Sequence, residues 1–124
     1  MLSLGALATL IDQLRGDGRQ VIAPVLRDST ISLDEIDSID DLPTGLTEEQ
    51  DGGRYRLENL DRPELFGNST PAIPWKRWLY AERTLLLKAT RDNGSVTIAE
   101  PEPDTTPLAF LGIRSCDVKS LDIL

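Results

Sequence analysis

The sequence predicts an α+β fold: an N-terminal helix, a mixed β-sheet with a hairpin near residues 84–99, and a strand-to-helix crossover at the end. Three observations lead to this prediction. Apolar residues recur at helical spacing over residues 3–15. Asn93-Gly94 lies between two strand-like runs, which is typical of a tight hairpin turn. Residues 108–115 have the pattern of a buried strand, and a helix-like segment follows them.

The first predicted element is an amphipathic helix over residues 3–15. Ser3 is placed to cap its start, and Gly16 and Gly18 are placed to end it. We expect the apolar face to pack on a core, because amphipathicity in globular chains usually reflects packing. That face consists of Leu4, Leu7, Ile11 and Leu14.

Two strands are predicted next. Val21, Ile22 and Val25 favour a strand in which Pro24 indicates an edge or a strand end, and "STISLDEI" is the returning strand. The acidic stretch at residues 34–41 allows two interpretations, a calcium site or a solvated loop. Because the ligand pattern and the central glycine of a calcium loop are missing, we favour the solvated loop.

The stretch "PTGLTEEQDGGRYRL" predicts a short helical turn. Thr47 followed three residues later by Gln50 matches a capping box. Gly52 and Gly53 then limit the helix to about one turn, because glycine disfavours a continued helix.

Two arginines flank a tyrosine directly after these glycines. Arg54, Tyr55 and Arg56 can clamp a phosphate, a carboxylate or a ring edge. The alternative is the start of a strand with exposed arginines, since most arginines lie at the surface. Both interpretations remain open on the residues alone.

Both tryptophans lie in "NSTPAIPWKRWLYAERTLLL". Trp75, Trp78 and Leu79 are spaced like one side of a short helix. The stretch is either a satellite core or an aromatic anchor for a partner subunit.

The predicted strand-to-helix junction contains the only cysteine of the chain. Ser115 is expected to cap the helix, and Asp117 lies where an acidic residue favours the helix dipole. Cys116 then lies in the first turn, where the helix start and Arg114 favour a thiolate. The alternative is a small buried apolar residue, as most free cysteines are. Gly112 by itself does not make a phosphate loop.

Composition excludes several classes of function. The chain has 124 residues, of which 13 are basic and 21 acidic, and a net charge of -8 argues against a free-standing nucleic-acid binder. One cysteine excludes a disulfide framework and a self-contained iron–sulfur cluster, and the absence of histidine excludes a Ser-His-Asp or Cys-His pair. The first apolar run, Leu2 to Ile11, is short and lacks a basic leader, so we expect no membrane span and a cytoplasmic location.

Three stretches occur in the order found in one protein family: "GLTEEQDGGRYRL", "PWKRWLY" and "FLGIRSCDVKSLDIL". The chain resembles the amino-terminal domain of the β subunits of sulfhydrogenase-type nickel–iron hydrogenases and of the related electron-transfer subunit of anaerobic sulfite reductase. The likeness runs over nearly all of the chain. The family form of the last stretch usually begins Gly-Val-Arg-Pro-Cys-Asp. Here Ile113 and Ser115 replace its Val and Pro, and Lys119 and Ser120 replace residues that are usually small.

The resemblance implies an iron–sulfur electron-transfer subunit of an oxidoreductase complex. Full-length members bind 4Fe-4S clusters, mainly through cysteine motifs that follow the matched region. They pass electrons between a flavin- and NAD(P)-binding subunit and a hydrogenase or sulfite-reducing catalytic subunit. On this basis residues 1–124 are expected to be a single domain, the front part of a longer protein, which is not catalytic alone and holds no cluster by itself. The ending "SLDIL" has no helix breaker, which fits that expectation.

The resemblance also implies roles for individual residues. Cys116 is expected to face the cluster-bearing part of the full protein, as a metal ligand or next to one. Arg54 and Arg56 are expected to supply positive charge near a reduced cluster or a partner and so to tune the reduction potential. The implied cofactor-binding residues are Arg54, Arg56, Gly112, Arg114 and Asp117. The implied interaction residues are Gln50, Asp51, Tyr55, Trp75, Lys76 and Trp78.

Two other functions remain open on the sequence. One is a small α/β module that binds a nucleotide or flavin at the turn after Gly112. The other is a non-catalytic interaction domain that uses Trp75, Trp78 and the acidic loop. A nucleotide-induced rise in thermal stability favours the first, and a stable complex that survives Cys116→Ala favours the second.

Overall fold

The computed structural model confirms the predicted α+β class. It describes residues 3–68, 75–80 and 83–123. Within these residues the helices and strands follow in the order α1 (Leu4–Gly16), β1 (Gln20–Arg27), β2 (Thr30–Glu35), a short 3-10 helix (Ile39–Asp41), β3 (Leu46–Asp51), β4 (Arg54–Asn59), α2 (Lys76–Leu79), β5 (Lys88–Asp92), β6 (Ser95–Ala99), β7 (Leu108–Phe110) and α3 (Ser115–Leu121).

The structure divides into two compact units. Unit 1 comprises Met1–Trp75 and Thr106–Leu124, and unit 2 is Lys76–Thr105, so unit 2 is inserted in the sequence of unit 1. The single domain expected over residues 1–124 stays a prediction.

The N-terminal helix is confirmed as α1. Ser3 caps it, since its Oγ accepts a hydrogen bond from the Ala6 backbone N–H at 3.2 Å. Leu7 and Ile11 are buried on its inner face. The helix ends where Gly18, with φ of 77°, takes the left-handed conformation that glycine adopts without strain.

Unit 1 is built on a three-stranded mixed sheet in the order β2-β1-β7. β1 and β2 form an antiparallel hairpin whose turn residues, Asp28 and Ser29, have φ values of 46° and 61°, as a type I′ turn requires. β7 pairs in parallel with the first residues of β1. The core joins α1 to this sheet and to the segment after β2 through Leu7, Ile11, Val21, Ala23, Val25, Ile36 and Leu42.

Pro24 lies within β1, between two neighbouring strands, and it is fully buried. At Pro24, however, β1 has a neighbouring strand on one side only, so this position is an edge of the sheet. Even-numbered residues of β1 bond towards β7: the Gln20 N–H donates to Pro107, and the Ile22 carbonyl accepts from Leu111. Pairing with β7 ends at Ile22, so the missing N–H of Pro24 faces the side that β7 no longer covers.

The acidic segment after β2 forms a hydrogen-bonded turn. Asp41 Oδ2 accepts hydrogen bonds from the backbone N–H groups of Asp37 at 2.8 Å and Ser38 at 3.0 Å. These bonds, with the one from Asp37 first, lower the pKa of the Asp41 carboxyl below its ordinary value of 3.8. Asp37 also pairs with Arg15, which ties α1 to the turn. This arrangement agrees with the solvated-loop interpretation.

Replacing Asp41 with asparagine is expected to lower the free energy of unfolding by about 1 kcal/mol at neutral pH, because two charge-assisted bonds are weakened. The lowered pKa means that this stabilisation is present above pH 3.8 and disappears as the pH falls through the folded-state pKa. The difference between wild type and Asp41→Asn should therefore shrink in acid. Urea unfolding between pH 2 and 7 measures it, with the exposed neighbour variant Asp40→Asn as the control. An equal loss for both variants would contradict the assignment.

A second antiparallel hairpin, β3–β4, turns at Gly52-Gly53. The helical turn predicted at Thr47–Gln50 is therefore wrong, because both residues lie in β3. Pairing with β4 satisfies the backbone groups that a helix cap would have satisfied, and Gly53 takes a φ of 73° at the turn. Arg54 and Arg56 lie at the start of a strand and are exposed, as the second interpretation of this stretch predicted, since β4 begins at Arg54.

Unit 2 contains α2 and the hairpin β5–β6. The predicted Asn93-Gly94 turn is confirmed, with φ values of 46° and 88°. The hairpin forms a two-stranded sheet of its own rather than part of the mixed sheet. Every residue of β5 and β6 is exposed.

Candidate functional site

The strand-to-helix junction follows β7, which is shorter than expected and half-buried. The Leu111 N–H donates to the Ile22 carbonyl at 2.8 Å, and Gly112 then turns the chain with a φ of 74°. The helix cap is Arg114 rather than the predicted Ser115, which is the first residue of α3. The reason is that the Arg114 carbonyl accepts the first helical N–H groups, while Asp117 Oδ2 accepts the Arg114 N–H at 3.3 Å.

Phe66 packs on this turn, and no sequence pattern indicates the contact except the glycine itself. A Cβ on Gly112 would lie 2.5 Å from Cδ1 and Cε1 of the Phe66 ring. Phe66 has a φ of 59°, which is uncommon for a bulky residue and costs about 1–2 kcal/mol. The missing side chain at Gly112 therefore provides the space for the Phe66 ring.

Arg114 fixes the other side of the junction. Its Nη2 donates to the Asn68 carbonyl at 2.9 Å, and Asn68 is a buried residue. The predicted cofactor-binding residues Gly112, Arg114 and Asp117 are thus close in space. Each has a structural task here: the turn, the tie to Asn68, and the helix start.

Cys116 lies in the first turn of α3 and is exposed. The alternative of a small buried apolar residue is therefore wrong. The thiol is accessible at a turn that Phe66 and the Arg114–Asn68 bond hold in place. Such a position suits a ligand or a contact that comes from outside this chain.

The predicted arginines lie on a charged face of the β3–β4 hairpin. In the strand register Glu49 is opposite Arg56, and Asp51 is opposite Arg54. Directly opposed residues share one face of an antiparallel pair. All four are exposed and line a cavity of about 100 Å³. Because the two signs balance, this face offers an anion less attraction than two arginines alone.

The structure does not bring this charged face to the junction. Asp51 and Arg54 lie at the turn end of the hairpin. The segment that carries Phe66 contacts the opposite end, where Thr47 Oγ1 donates to the Gly67 carbonyl at 3.1 Å. A strand rises about 3.3 Å per residue, so the two ends of β3 are roughly 17 Å apart. A role of Arg54 at a cluster next to Cys116 stays a prediction, and the position of Arg54 at the far end of the hairpin does not support it.

Tyr55 and Gln50 lie on the other face of the hairpin. The Tyr55 hydroxyl donates to Glu48 Oε2 at 2.7 Å and accepts from the Ile31 N–H at 2.9 Å. Burial, and then the neighbouring Glu48, raise the pKa of the Tyr55 phenol above its ordinary value of 10.0. Gln50 Nε2 contacts Glu48 Oε1 at 3.4 Å. Tyr55 therefore ties this hairpin to the edge strand β2.

Replacing Tyr55 with phenylalanine is expected to lower the free energy of unfolding by about 1–3 kcal/mol, because the buried Ile31 N–H loses its acceptor. The raised pKa means that the stabilisation is present below pH 10 and is lost at higher pH. Urea unfolding at pH 8 and pH 11 measures both effects. Tyr80→Phe is the matched control, because Tyr80 is 56% exposed. Equal stability of the two variants at pH 8 would show that the hydroxyl bonds contribute nothing.

The tryptophan stretch divides between the two units. Trp75 is buried in unit 1, which favours the core interpretation for that residue. Lys76 and Trp78 belong to α2 in unit 2, where the Arg77 guanidinium lies 5.6 Å from the Trp78 ring centroid. The approach to Trp75, residues 69–74, lies outside the described residues.

Comparison of the chain with protein families, with curated proteins and with solved structures gave no match. Across residues 3–68, 75–80 and 83–123, no helix is long and apolar enough to cross a membrane.

Proposed function

We propose that the chain is the amino-terminal domain of an iron–sulfur electron-transfer subunit in a hydrogenase- or sulfite-reductase-like oxidoreductase complex. In this role it is not catalytic. It presents Cys116 to the cluster-bearing part of the full protein, which relays electrons between a flavin- and NAD(P)-binding subunit and a catalytic subunit. The sequence resemblance is the basis for the identity of the complex.

The observation that carries the proposal is the exposure of Cys116 in the first turn of α3, directly after the glycine turn. A cysteine that served only packing would be buried. Here the thiol lies in the first turn of α3 and is open to a ligand from outside this chain. The thiolate is the form that binds iron.

The chain by itself does not fit a cluster. A 4Fe-4S cluster needs four ligands, and the sequence contains one cysteine. Within the described ranges, no three His, Cys, Asp or Glu side chains lie close enough together to hold a metal ion. Any cluster near Cys116 must therefore take its other ligands from outside residues 1–124.

The test uses the full-length gene product, purified without oxygen together with its partner subunits. We expect iron and acid-labile sulfide in comparable amounts and an electron paramagnetic resonance signal after reduction. Cys116→Ala should remove one signal or shift its midpoint potential. Ser115→Ala is the matched control, because Ser115 is the exposed residue next to Cys116, and it should change neither.

Two outcomes contradict the proposal. One is a full-length protein without iron and sulfide. The other is a Cys116→Ala protein whose iron content, signal and potential equal those of the wild type. A stable complex in that second case supports the non-catalytic interaction domain instead.

The nucleotide- or flavin-binding alternative has less support at this turn. Asp117 places its carboxylate at the start of α3 and already accepts a backbone N–H there. A phosphate bound at the same helix start would lie next to that negative charge. We therefore expect ATP, NAD and FMN to leave the thermal unfolding temperature of the chain unchanged.

A further inference from the structure

The turn of the β5–β6 hairpin joins two residues that can react with each other. Asn93 and Gly94 have φ values of 46° and 88°, the left-handed conformations of a type I′ turn. Asparagine and glycine adopt these conformations at lower cost than other residues, which explains their presence here. The same pair places a side-chain amide next to a backbone nitrogen whose own residue has no side chain. The turn therefore contains both partners of a ring-closing reaction.

This turn is open to solvent and weakly held. Asn93 and Gly94 are exposed, as is every residue of β5 and β6. The hairpin is a two-stranded sheet of its own, and such a hairpin is marginally stable in water. Cross-strand pairing ends at Asp92 and Ser95, so it does not include the two turn residues. The backbone at the turn can therefore open locally and reach the geometry that ring closure requires.

The chain contains two other asparagines, and neither has this arrangement. Asn59 is exposed at the end of β4, but Leu60 follows it, and a branched side chain hinders attack by the backbone nitrogen of its own residue. Asn68 is buried, and its carbonyl accepts a hydrogen bond from Arg114 Nη2 at 2.9 Å, which holds the backbone there. Among the three asparagines, exposure and a following glycine coincide at Asn93 alone.

We propose that Asn93 is a site of spontaneous deamidation. The backbone nitrogen of Gly94 gives up its proton to solvent and attacks Cγ of Asn93, an intramolecular step between neighbouring groups. A bond forms between this nitrogen and Cγ, the Cγ–Nδ2 bond breaks, and Nδ2 takes up one proton and leaves as ammonia. Water then opens the resulting succinimide ring at either carbonyl and gives aspartate or isoaspartate. The overall reaction is a hydrolysis, so it requires no oxidant or reductant.

Both products change the hairpin. Each adds one negative charge to a chain whose net charge is -8. Isoaspartate also leads the main chain through the former side chain, which lengthens the backbone by one methylene group. A two-residue turn fixes the pairing of Asp92 with Ser95, so an added backbone atom disrupts that pairing. No residue of the junction takes part, so the reaction is independent of the proposed function.

The test uses the complete 124-residue chain, incubated in its native state at mildly alkaline pH. Cleavage after glutamate then separates the three asparagines into the peptides 59–64, 65–82 and 83–100, none of which contains a glutamine. Mass spectrometry measures the conversion of amide to acid in each peptide, and chromatography separates the aspartyl from the isoaspartyl form. We expect peptide 83–100 to deamidate at least about tenfold faster than the other two, with isoaspartate among its products.

Two variants and one change of conditions locate the reaction. Asn93→Gln keeps the amide but requires a larger ring, and Gly94→Ala places a methyl group beside the attacking nitrogen, so each should slow deamidation at least about tenfold. An alanine with a φ of 88° also strains the turn, which only increases access to it. Urea should change the rate at Asn93 by less than about tenfold, whereas it should accelerate the reaction at the buried Asn68.

Three results overturn the proposal. An unchanged mass of peptide 83–100 from the native chain shows that the folded turn prevents ring closure. Aspartate without isoaspartate shows direct hydrolysis of the amide instead of cyclisation through Gly94. Equal rates at Asn59 and Asn93 show that neither the following glycine nor the turn directs the reaction.

Discussion

Replacing Gly112 with alanine is expected to lower the free energy of unfolding of unit 1 by about 3 kcal/mol. The residue has a φ of 74°, and an alanine there costs about 1–2 kcal/mol in backbone strain. The added Cβ would also lie 2.5 Å from two ring atoms of Phe66, and such overpacking costs a further 1–3 kcal/mol or so. Urea unfolding measures the loss, followed by tryptophan fluorescence, to which the buried Trp75 of unit 1 and Trp78 of unit 2 both contribute.

Two variants separate these contributions. Gly18→Ala has a similar φ of 77° with open space around the Cβ position, so it isolates backbone strain of about 1–2 kcal/mol. Phe66→Ala should recover part of the loss when combined with Gly112→Ala, because the double variant removes the clash. If Gly112→Ala lowered the free energy of unfolding no more than Gly18→Ala does, the packing of Phe66 on the turn would contribute nothing to stability.

Replacing Ile11 with alanine is expected to lower the free energy of unfolding by about 3–4 kcal/mol. Ile11 is fully buried between α1 and the mixed sheet, so truncation removes apolar burial and leaves a cavity. Leu10 is the matched control, since it is the neighbouring residue in the same helix and is 38% exposed. Leu10→Ala should cost less than about 1 kcal/mol. Similar losses for both variants would mean that α1 does not pack in the orientation described.

Local sequence patterns were sufficient to predict those elements whose structure depends on residues close together in the sequence. The helical spacing of Leu7 and Ile11 predicted α1 within one residue of its observed bounds. Asn93-Gly94 predicted the hairpin turn, because both residues accept the positive φ that a two-residue turn requires.

Prediction was wrong where distant pairing overrides a local preference. Thr47 and Gln50 match a helix cap, but β4 provides a pairing partner along the whole of β3, and a strand results. The expected contact of Tyr55 with a partner protein stays a prediction, and its hydroxyl accepts the Ile31 N–H of β2 in the same unit. Neither the spacing of residues in the sequence nor the composition indicates the hydrogen bond between Tyr55 and Ile31.

The junction was predicted in outline but not in its details. The glycine turn and the helix after it were expected, and both are present around Cys116. The packing of Phe66 depends on the tertiary arrangement of the Leu65–Asn68 segment, which no periodicity reports. The cap at Arg114 rather than Ser115 reflects the reach of the Asp117 carboxylate to the Arg114 N–H.

The parallel pairing of β1 with β7 also has a kinetic consequence. Gln20 pairs with Leu108, and the roughly 90 residues between them include all of unit 2. Closing so long a loop costs about 4 kcal/mol of chain entropy, whereas the β1–β2 hairpin closes through two residues. We therefore expect α1, β1 and β2 to form the folding nucleus and β7 to join after the rate-limiting step. Gly112→Ala should then accelerate unfolding at an unchanged refolding rate, and Ile11→Ala should slow refolding.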